Sequence, residues 1–305
     1  MKILLTGSTG MVGRNILENA KSCNYEFIIP SKKELDLRIY ETVFSYLKEC
    51  RPNIVIHSAG RVGGIKANIN NPIEFLSDNL QMGVNIILAS FKLEIDKLIN
   101  LGSSCMYPRE GPNPLKESSI LTGRLEPTNE GYALAKIVAQ RLCKYIYEEN
   151  SDYNYKTIIP CNLYGRYDNF NPDSSHLISS IIRKVDNAME NNTDVEIWGD
   201  GNARREFMYV DDLVDAIYFA IEHYDLIDDS MNIGLGHDYS INDYYKKVGE
   251  IMRFNGNYYH NLNMPIGMQQ KLVSIEKQNN LGWKPNYNLE DGLKKIIKYY
   301  FESIK

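Results

Sequence analysis

The chain has 305 residues, enough for one large or two modest domains, with apolar and charged fractions of 43% and 24% that are ordinary for a globular protein. A formal charge of -5 leaves no basic footprint for nucleic acid and no acidic tail. No run of about 18 apolar residues offers a membrane span, and the short apolar run at Ile3–Leu5 is no secretory h-region. The five cysteines (Cys23, Cys50, Cys105, Cys143 and Cys161) are scattered and form no CxxC pair. That pattern argues against a metal site or a disulfide framework and for a reducing cytoplasm.

In chain order, Lys2–Thr6 is a short apolar strand followed by glycines, and Met11–Ala20 has helical spacing. Glu26–Pro30, Asn53–His57 and Lys97–Gly102 read as further strands, with a long helix over roughly Ile73–Leu93. Gly131–Glu149 is another helix and Lys156–Pro160 a fifth strand. Strands alternating with helices imply an α/β fold with a Rossmann-type, doubly wound parallel sheet. After Leu163 the pattern changes: helices at His176–Met189, Val210–His223, Asn242–Met252 and Leu289–Ile304 surround short strands at Val195–Trp198 and Met231–Ile233. The expected division is a dinucleotide-binding domain over residues 1–165 and a smaller α/β substrate-binding lobe over 166–305, interleaved with the sheet.

The first motif is Gly7-Ser8-Thr9-Gly10-Met11-Val12-Gly13, lying between a strand and a helix. Glycine allows a tight turn and close approach of a pyrophosphate, and the helix start supplies free N–H groups and a positive dipole end. An NAD site places an acid at the end of the second strand to hold the ribose 2′-hydroxyl. Here that position reads Pro30-Ser31-Lys32-Lys33, which suits the 2′-phosphate of NADP(H). Asp36 and Leu37 are candidates for holding the adenine.

Tyr132 and Lys136 lie four apart, hence on one helix face. A phenol near pKa 10 transfers protons poorly at neutrality, and a neighbouring cation favours its phenolate. With 22 tyrosines in the chain the pair alone is weak. It gains weight from strand ends that converge on the same sheet edge: Leu101-Gly102-Ser103 and Pro160-Cys161-Asn162-Leu163. A hydroxyl at Ser103 would hydrogen-bond a reacting carbonyl.

Over nearly its whole length the chain resembles the GDP-L-fucose synthase family, the GDP-4-keto-6-deoxy-D-mannose 3,5-epimerase/4-reductases of the extended short-chain dehydrogenase/reductase superfamily. The matching segments are Thr6–Gly13, Arg61–Ile65, Leu101–Pro108, Leu125–Glu130, Tyr132–Lys136, Asn162–Gly165, Asp168–Phe170, Ser175-His176, and Trp198-Gly199 through Phe207. The resemblance implies NADPH-dependent reduction of the C4 ketone of a GDP-linked 4-keto-sugar, with or without C3/C5 epimerisation, in bacterial surface-polysaccharide biosynthesis. It implies that Tyr132 donates the proton to O4, Lys136 holds the ribose, and Ser103 bonds the keto oxygen. Cys105 and His176 would be the base and acid of epimerisation, with His176 also beside the cofactor. Ser104, Arg183, Trp198, Arg205 and Lys271 would hold the nucleotide-sugar, and the two long helices would form a homodimer interface.

The chain departs from the family in its last substrate segment, where the usual Pro-Asp-Gly-x-x-Arg-Lys-x-x-Asp becomes Pro265-Ile266-Gly267, Gln270-Lys271 and Ser274. Arg124 and Gly131 are expected to alter the wall near the catalytic helix. These changes keep a C4 reductase acting on a GDP-4-keto-6-deoxy-heptose open as an alternative. A redox-neutral NAD-dependent epimerase/dehydratase is disfavoured by Lys32 and Lys33. A non-catalytic NADP sensor is disfavoured by the intact Ser103, Tyr132 and Lys136.

Overall fold

The computed structural model describes residues 1–305. The first half alternates β1 (Lys2–Thr6), α1 (Met11–Glu18), β2 (Glu26–Ile28), α2 (Tyr40–Cys50), β3 (Ile54–His57), α3 (Ile65–Asn70), α4 (Pro72–Lys92), β4 (Lys97–Leu101), α5 (Glu130–Glu149) and β5 (Asn154–Pro160). Then come β6 (Asn162–Tyr164), α6 (Leu177–Asn191), β7 (Val195–Trp198), β8 (Arg204–Arg205), β9 (Phe207–Tyr209), α7 (Val210–Glu222) and β10 (Ser230–Ile233). The chain ends with β11 (Tyr239–Ser240), α8 (Ile241–Met252), β12 (Tyr258–Asn261), β13 (Gln270–Lys271), α9 (Glu276–Asn280) and α10 (Leu289–Ser303).

Six parallel strands form the main sheet in the order β10-β5-β4-β3-β1-β2. Alternate residues feed opposite layers. Ile3, Leu5, Ile54 and Ile56 join one core with Leu213 and Ile217 of α7, while Leu4 and Val55 join another with Val43, Leu47, Ile86 and Ile87. Burial on both faces is why these strands are continuously apolar rather than alternating. Each buried Leu or Ile stabilises the fold by about 1.5–3 kcal/mol. α4 and α5 pack side by side, close enough that a Cβ on Gly83 would lie 3.2 Å from the Ala139 Cβ.

The strand at 230–233 belongs to this main sheet, paired with β5, although it lies late in the chain. The small lobe has its own core of α6, α8 and α10 around Ile181, Tyr244 and Leu293. Its sheets are short: β11-β8-β13, β12-β7 and β6-β9. The strand order reverses between β1 and β3, and ligands of open parallel sheets bind at the carboxyl ends beside such a reversal.

Candidate active site

The carboxyl ends of β1, β4 and β5 open into two joined cavities of about 600 and 410 Å³. The first follows the sheet edge and the second runs into the small lobe. Cys105, Asn129, Asn162, His176 and Phe207 line both, so the cavities meet there.

The glycine turn is a cradle that admits no side chain. A Cβ on Gly7, whose φ is +74°, would lie 2.7 Å from the Ala59 backbone, and one on Gly13 would lie 2.3 Å from the Gly7 carbonyl oxygen. α1 starts at Gly10 with no side chain capping its first amides, which leaves them for an anion. Ser8, Thr9, Met11 and Val12 complete this wall, and Leu101, Gly102, Pro160, Asn162 and Leu163 line the other end. Lys32, Asp36 and Leu37 line the cavity, but Lys33 does not. A turn closed by the Glu34 N–H on the Ser31 carbonyl carries Lys33 to the outside. Arg38, which the sequence reading passed over, is there instead. Its Nε donates to Asp36 Oδ1 at 2.9 Å and its Nη2 to Oδ2 at 2.7 Å, holding that carboxyl down at about 2. Asp36 and Asp78 both line this cavity, and both are met by Arg38, which lies 3.7 Å from Asp78 Oδ1 through Nη1. Cradle, uncapped helix start and cations fit a dinucleotide carrying a ribose phosphate.

Ser103 follows β4, and Tyr132 and Lys136 reach the same cavity from α5. The Lys136 ammonium donates to the Leu101 carbonyl at 2.8 Å and lies 5.9 Å from the Tyr132 ring centre. Burial lowers its pKa to about 8. Beneath it, His57 is buried, meets Thr6 Oγ1 at 2.9 Å and is driven down to about 3 by burial and by Lys136. Burial pushes the Tyr132 phenol upward, Cys105 adds to the rise, and the Ser103 hydroxyl offsets part of it. The ammonium is turned to a carbonyl and not to the phenol, and burial, the largest influence on Tyr132, favours its protonated form.

At the junction, the Asn129 amide donates to Cys105 Sγ at 3.1 Å and the Lys271 ammonium at 3.4 Å. The Asn129 carbonyl oxygen is buried without a partner. His176 sits at the start of α6 with its ring uncommitted to capping. Behind it the Asp168 carboxyl accepts from Ser179 Oγ at 2.5 Å; burial raises its pKa, and His176 is the foremost influence opposing that rise. Neither Asn129 nor Asp168 was singled out from the sequence. Both lie in segments that match the family, Leu125–Glu130 and Asp168–Phe170, and the first also stands three residues before Tyr132.

In the second cavity, Arg183, Trp198, Arg205 and Lys271 come together as expected. The Arg183 Nε is buried with no acceptor, an unmet donor that suits an anionic ligand. Arg205 is not spent on a carboxylate: Nη2 donates to the Ile266 carbonyl at 3.0 Å and Nη1 to the Arg204 carbonyl at 2.8 Å. Ser104 is buried and lines the first cavity, not the second. Lys184 and Glu196 line the second cavity without having been predicted.

A match to the NAD dependent epimerase/dehydratase family spans residues 3–234. GDP-L-colitose synthase of Yersinia pseudotuberculosis is 51% identical over 98% of both chains. GDP-L-fucose synthase of Azorhizobium caulinodans is 47% identical over 98% of this chain and 96% of its own. The chain belongs to the NAD dependent epimerase/dehydratase family, in its GDP-L-fucose and GDP-L-colitose synthase branch. Among solved structures, a GDP-mannoheptose C4 reductase from Campylobacter jejuni with NADP bound superimposes with a TM-score of 0.87, at 31% identity and 98% coverage of both chains.

The segment around Ile266 and Gln270 is tied into the small lobe by specific contacts. Gln270 donates to Asp238 Oδ2 at 2.6 Å while Arg204 Nε takes Oδ1 at 2.7 Å, so the carboxylate is filled despite the absent arginine. Ile266 packs against Gly199, where any Cβ would come within 2.0 Å of the isoleucine. Arg124 and Gly131, in contrast, line neither cavity. Gly131 faces α4, where its Cβ would lie 3.2 Å from Leu76 Cβ and from the Pro72 carbonyl, and Arg124 is exposed. A helix start next to the candidate Tyr132 can still belong to helix packing, which residue order alone does not reveal.

Proposed function

We propose that this chain is a GDP-4-keto-sugar epimerase/reductase that uses NADP(H) to reduce the C4 ketone. The observation that carries this reading is the junction: Ser103, Tyr132 and Lys136 face the cofactor cavity, and Cys105 and His176 stand where it opens into the cation-lined cavity. NADPH, when bound, supplies the hydride. Tyr132 gives its phenolic proton to the C4 oxygen, and the Ser103 hydroxyl bonds that oxygen as its charge grows. Lys136, fixed on the Leu101 carbonyl, holds the ribose side. Cys105 and His176 exchange protons at C3 and C5, the carbons made acidic by the adjacent ketone. The Cys105 sulfur faces the Lys271 ammonium at 3.4 Å. Arg183, Arg205 and Lys271 take the diphosphate.

The test is solvent deuterium exchange on GDP-4-keto-6-deoxy-hexoses with NADP⁺ present, followed by NADPH oxidation. Incorporation at C3 or C5 followed by C4 reduction is the expected result. Reduction without incorporation would favour a C4 reductase, a second reading supported by the structural likeness to the heptose reductase and by the Ile266 wall.

The enzyme acts as a cytoplasmic homodimer through α4 and α5. Leu134 and Val138, one turn apart on α5, are 38% and 41% exposed. Ile86 and Ile87 cannot serve, since both are fully buried against their own sheet. Light scattering should give twice the chain mass, and Val138→Glu should give a monomer.

A further inference from the structure

On β7 the odd-numbered Val195 and Ile197 are buried in the small-lobe core, so Glu196 and Trp198 share the opposite face and line the second cavity. The Glu196 carboxylate is held from behind. Trp198 Nε1 donates to Oε2 at 2.9 Å, and Asn261 Nδ2, on the neighbouring β12, donates to Oε1 at 2.7 Å. The Lys184 ammonium lies 3.7 Å from Oε2 and is itself fixed on the Glu196 main-chain carbonyl at 2.9 Å. These partners, Asn261 first, lower the carboxyl pKa, so the group stays ionised. A carboxylate has about four acceptor positions. Two are used in these hydrogen bonds, one on each oxygen, which leaves acceptor capacity on both oxygens of a carboxylate that lines the cavity.

That pair of acceptors has one complement among nucleobases. Guanine carries adjacent donors, N1–H and the 2-amino group, on one edge. Uracil offers a single N–H flanked by carbonyls, and adenine offers its amino group beside an acceptor nitrogen. Glu196 also stands away from the reacting end. Lys271 touches the Cys105 sulfur, Arg183 and Arg205 supply the cations, and Glu196 lines the same cavity from β7, beside the apolar Ile241 and Tyr245. We infer that Glu196 is the base-selecting residue of this chain, accepting the N1–H and 2-amino hydrogens of guanine. The inference rests on the GDP-sugar reading and names the side chain by which that nucleotide is distinguished.

The test measures binding of GDP, IDP, UDP and ADP to the NADP⁺-loaded enzyme by calorimetry, for the parent and for Glu196→Gln. IDP keeps N1–H and lacks the 2-amino group. The parent is expected to bind GDP tightest, with IDP weaker by about 10-fold and UDP and ADP weaker still, since a hydrogen bond to a charged group gives about 10- to 100-fold. In Glu196→Gln the GDP affinity should fall by about 10- to 100-fold and the GDP-over-IDP gap should close, while UDP binding stays within about 2-fold. A parent that prefers UDP or ADP overturns the GDP-sugar reading and this inference together. A parent that prefers GDP, with Glu196→Gln keeping both its GDP affinity and the gap to IDP, overturns the inference alone. A variant that loses all four nucleotides equally shows a structural role for Glu196 and also overturns it.

Discussion

Lys271 Nζ lies 3.4 Å from Cys105 Sγ, although the two residues are 166 apart in the chain. One comes from the end of β13 in the small lobe and the other from the turn after β4 in the main sheet. Under the proposed roles, a cation of the nucleotide side stands on the sulfur of proton exchange, and epimerisation and nucleotide binding would share a residue.

Cys105→Ser should abolish deuterium incorporation at C3 and C5, while a substrate already epimerised is still reduced. Lys271→Met should slow exchange by about 10- to 100-fold and also raise KM, because it removes a charge-assisted contact at two places. Exchange at the parent rate in Lys271→Met would show that the sulfur works without its ammonium.

Tyr132→Phe should lower reduction by about 10²–10⁴-fold and leave NADPH affinity unchanged, since only the proton-donating hydroxyl is lost. Burial favours the protonated hydroxyl, so the loss is expected to persist across the neutral range. Near-parental turnover would place the proton source elsewhere.

Of the two lysines after β2, only Lys32 lines the cofactor cavity. Lys32→Ala should weaken NADPH by about 10-fold or more with little effect on NADH, and Lys33→Ala should change both by less than about 2-fold. Fluorescence titration separates the two, and equal effects would contradict the outward turn at Lys33.

Glu206 is buried between β8 and β9 and accepts the Leu235, Gly236 and Val273 N–H groups, yet burial raises its pKa from 4.5 to about 7. The folded protein therefore binds this proton more tightly than the unfolded chain. Its contribution to stability is full below pH 4.5 and is lost as the pH rises through about 7, on the order of 3 kcal/mol in all. Glu206→Gln cannot titrate and turns an amide N–H toward one of the three donors, a cost of about 1–3 kcal/mol. Denaturation at several pH values should show the parent's advantage over the variant shrinking between pH 5 and 7. A gap that widens over that range would reverse the sign.

The alternation of apolar strands with helical spacing was legible because a doubly covered parallel sheet demands it. β7 was located residue for residue, and α4, α5 and α10 within a residue or two at each end. Strand β10 was seen but not its place, since pairing with β5 is a choice among distant strands that no local pattern encodes. The two- and three-residue strands β6, β8, β9, β11 and β13 are too short to show a period.

By itself the sequence offered a candidate set: the glycine turn, Ser103, Tyr132 and Lys136 from pattern and spacing, and the cysteine, the histidine and the cations for a diphosphate from the family resemblance. The four-residue spacing of Tyr132 and Lys136 and the glycine turn are legible because helical and backbone geometry are local. Tertiary structure alone decided which neighbours those groups have: Arg38 rather than Lys33 in the cofactor cavity, Lys271 on the Cys105 sulfur, a phenol whose protonated form is favoured, and Glu196 on the cavity wall. A local turn sets the first of these, a contact between residues 166 apart the second, and burial the third, through desolvation and charge proximity that residue order alone does not record.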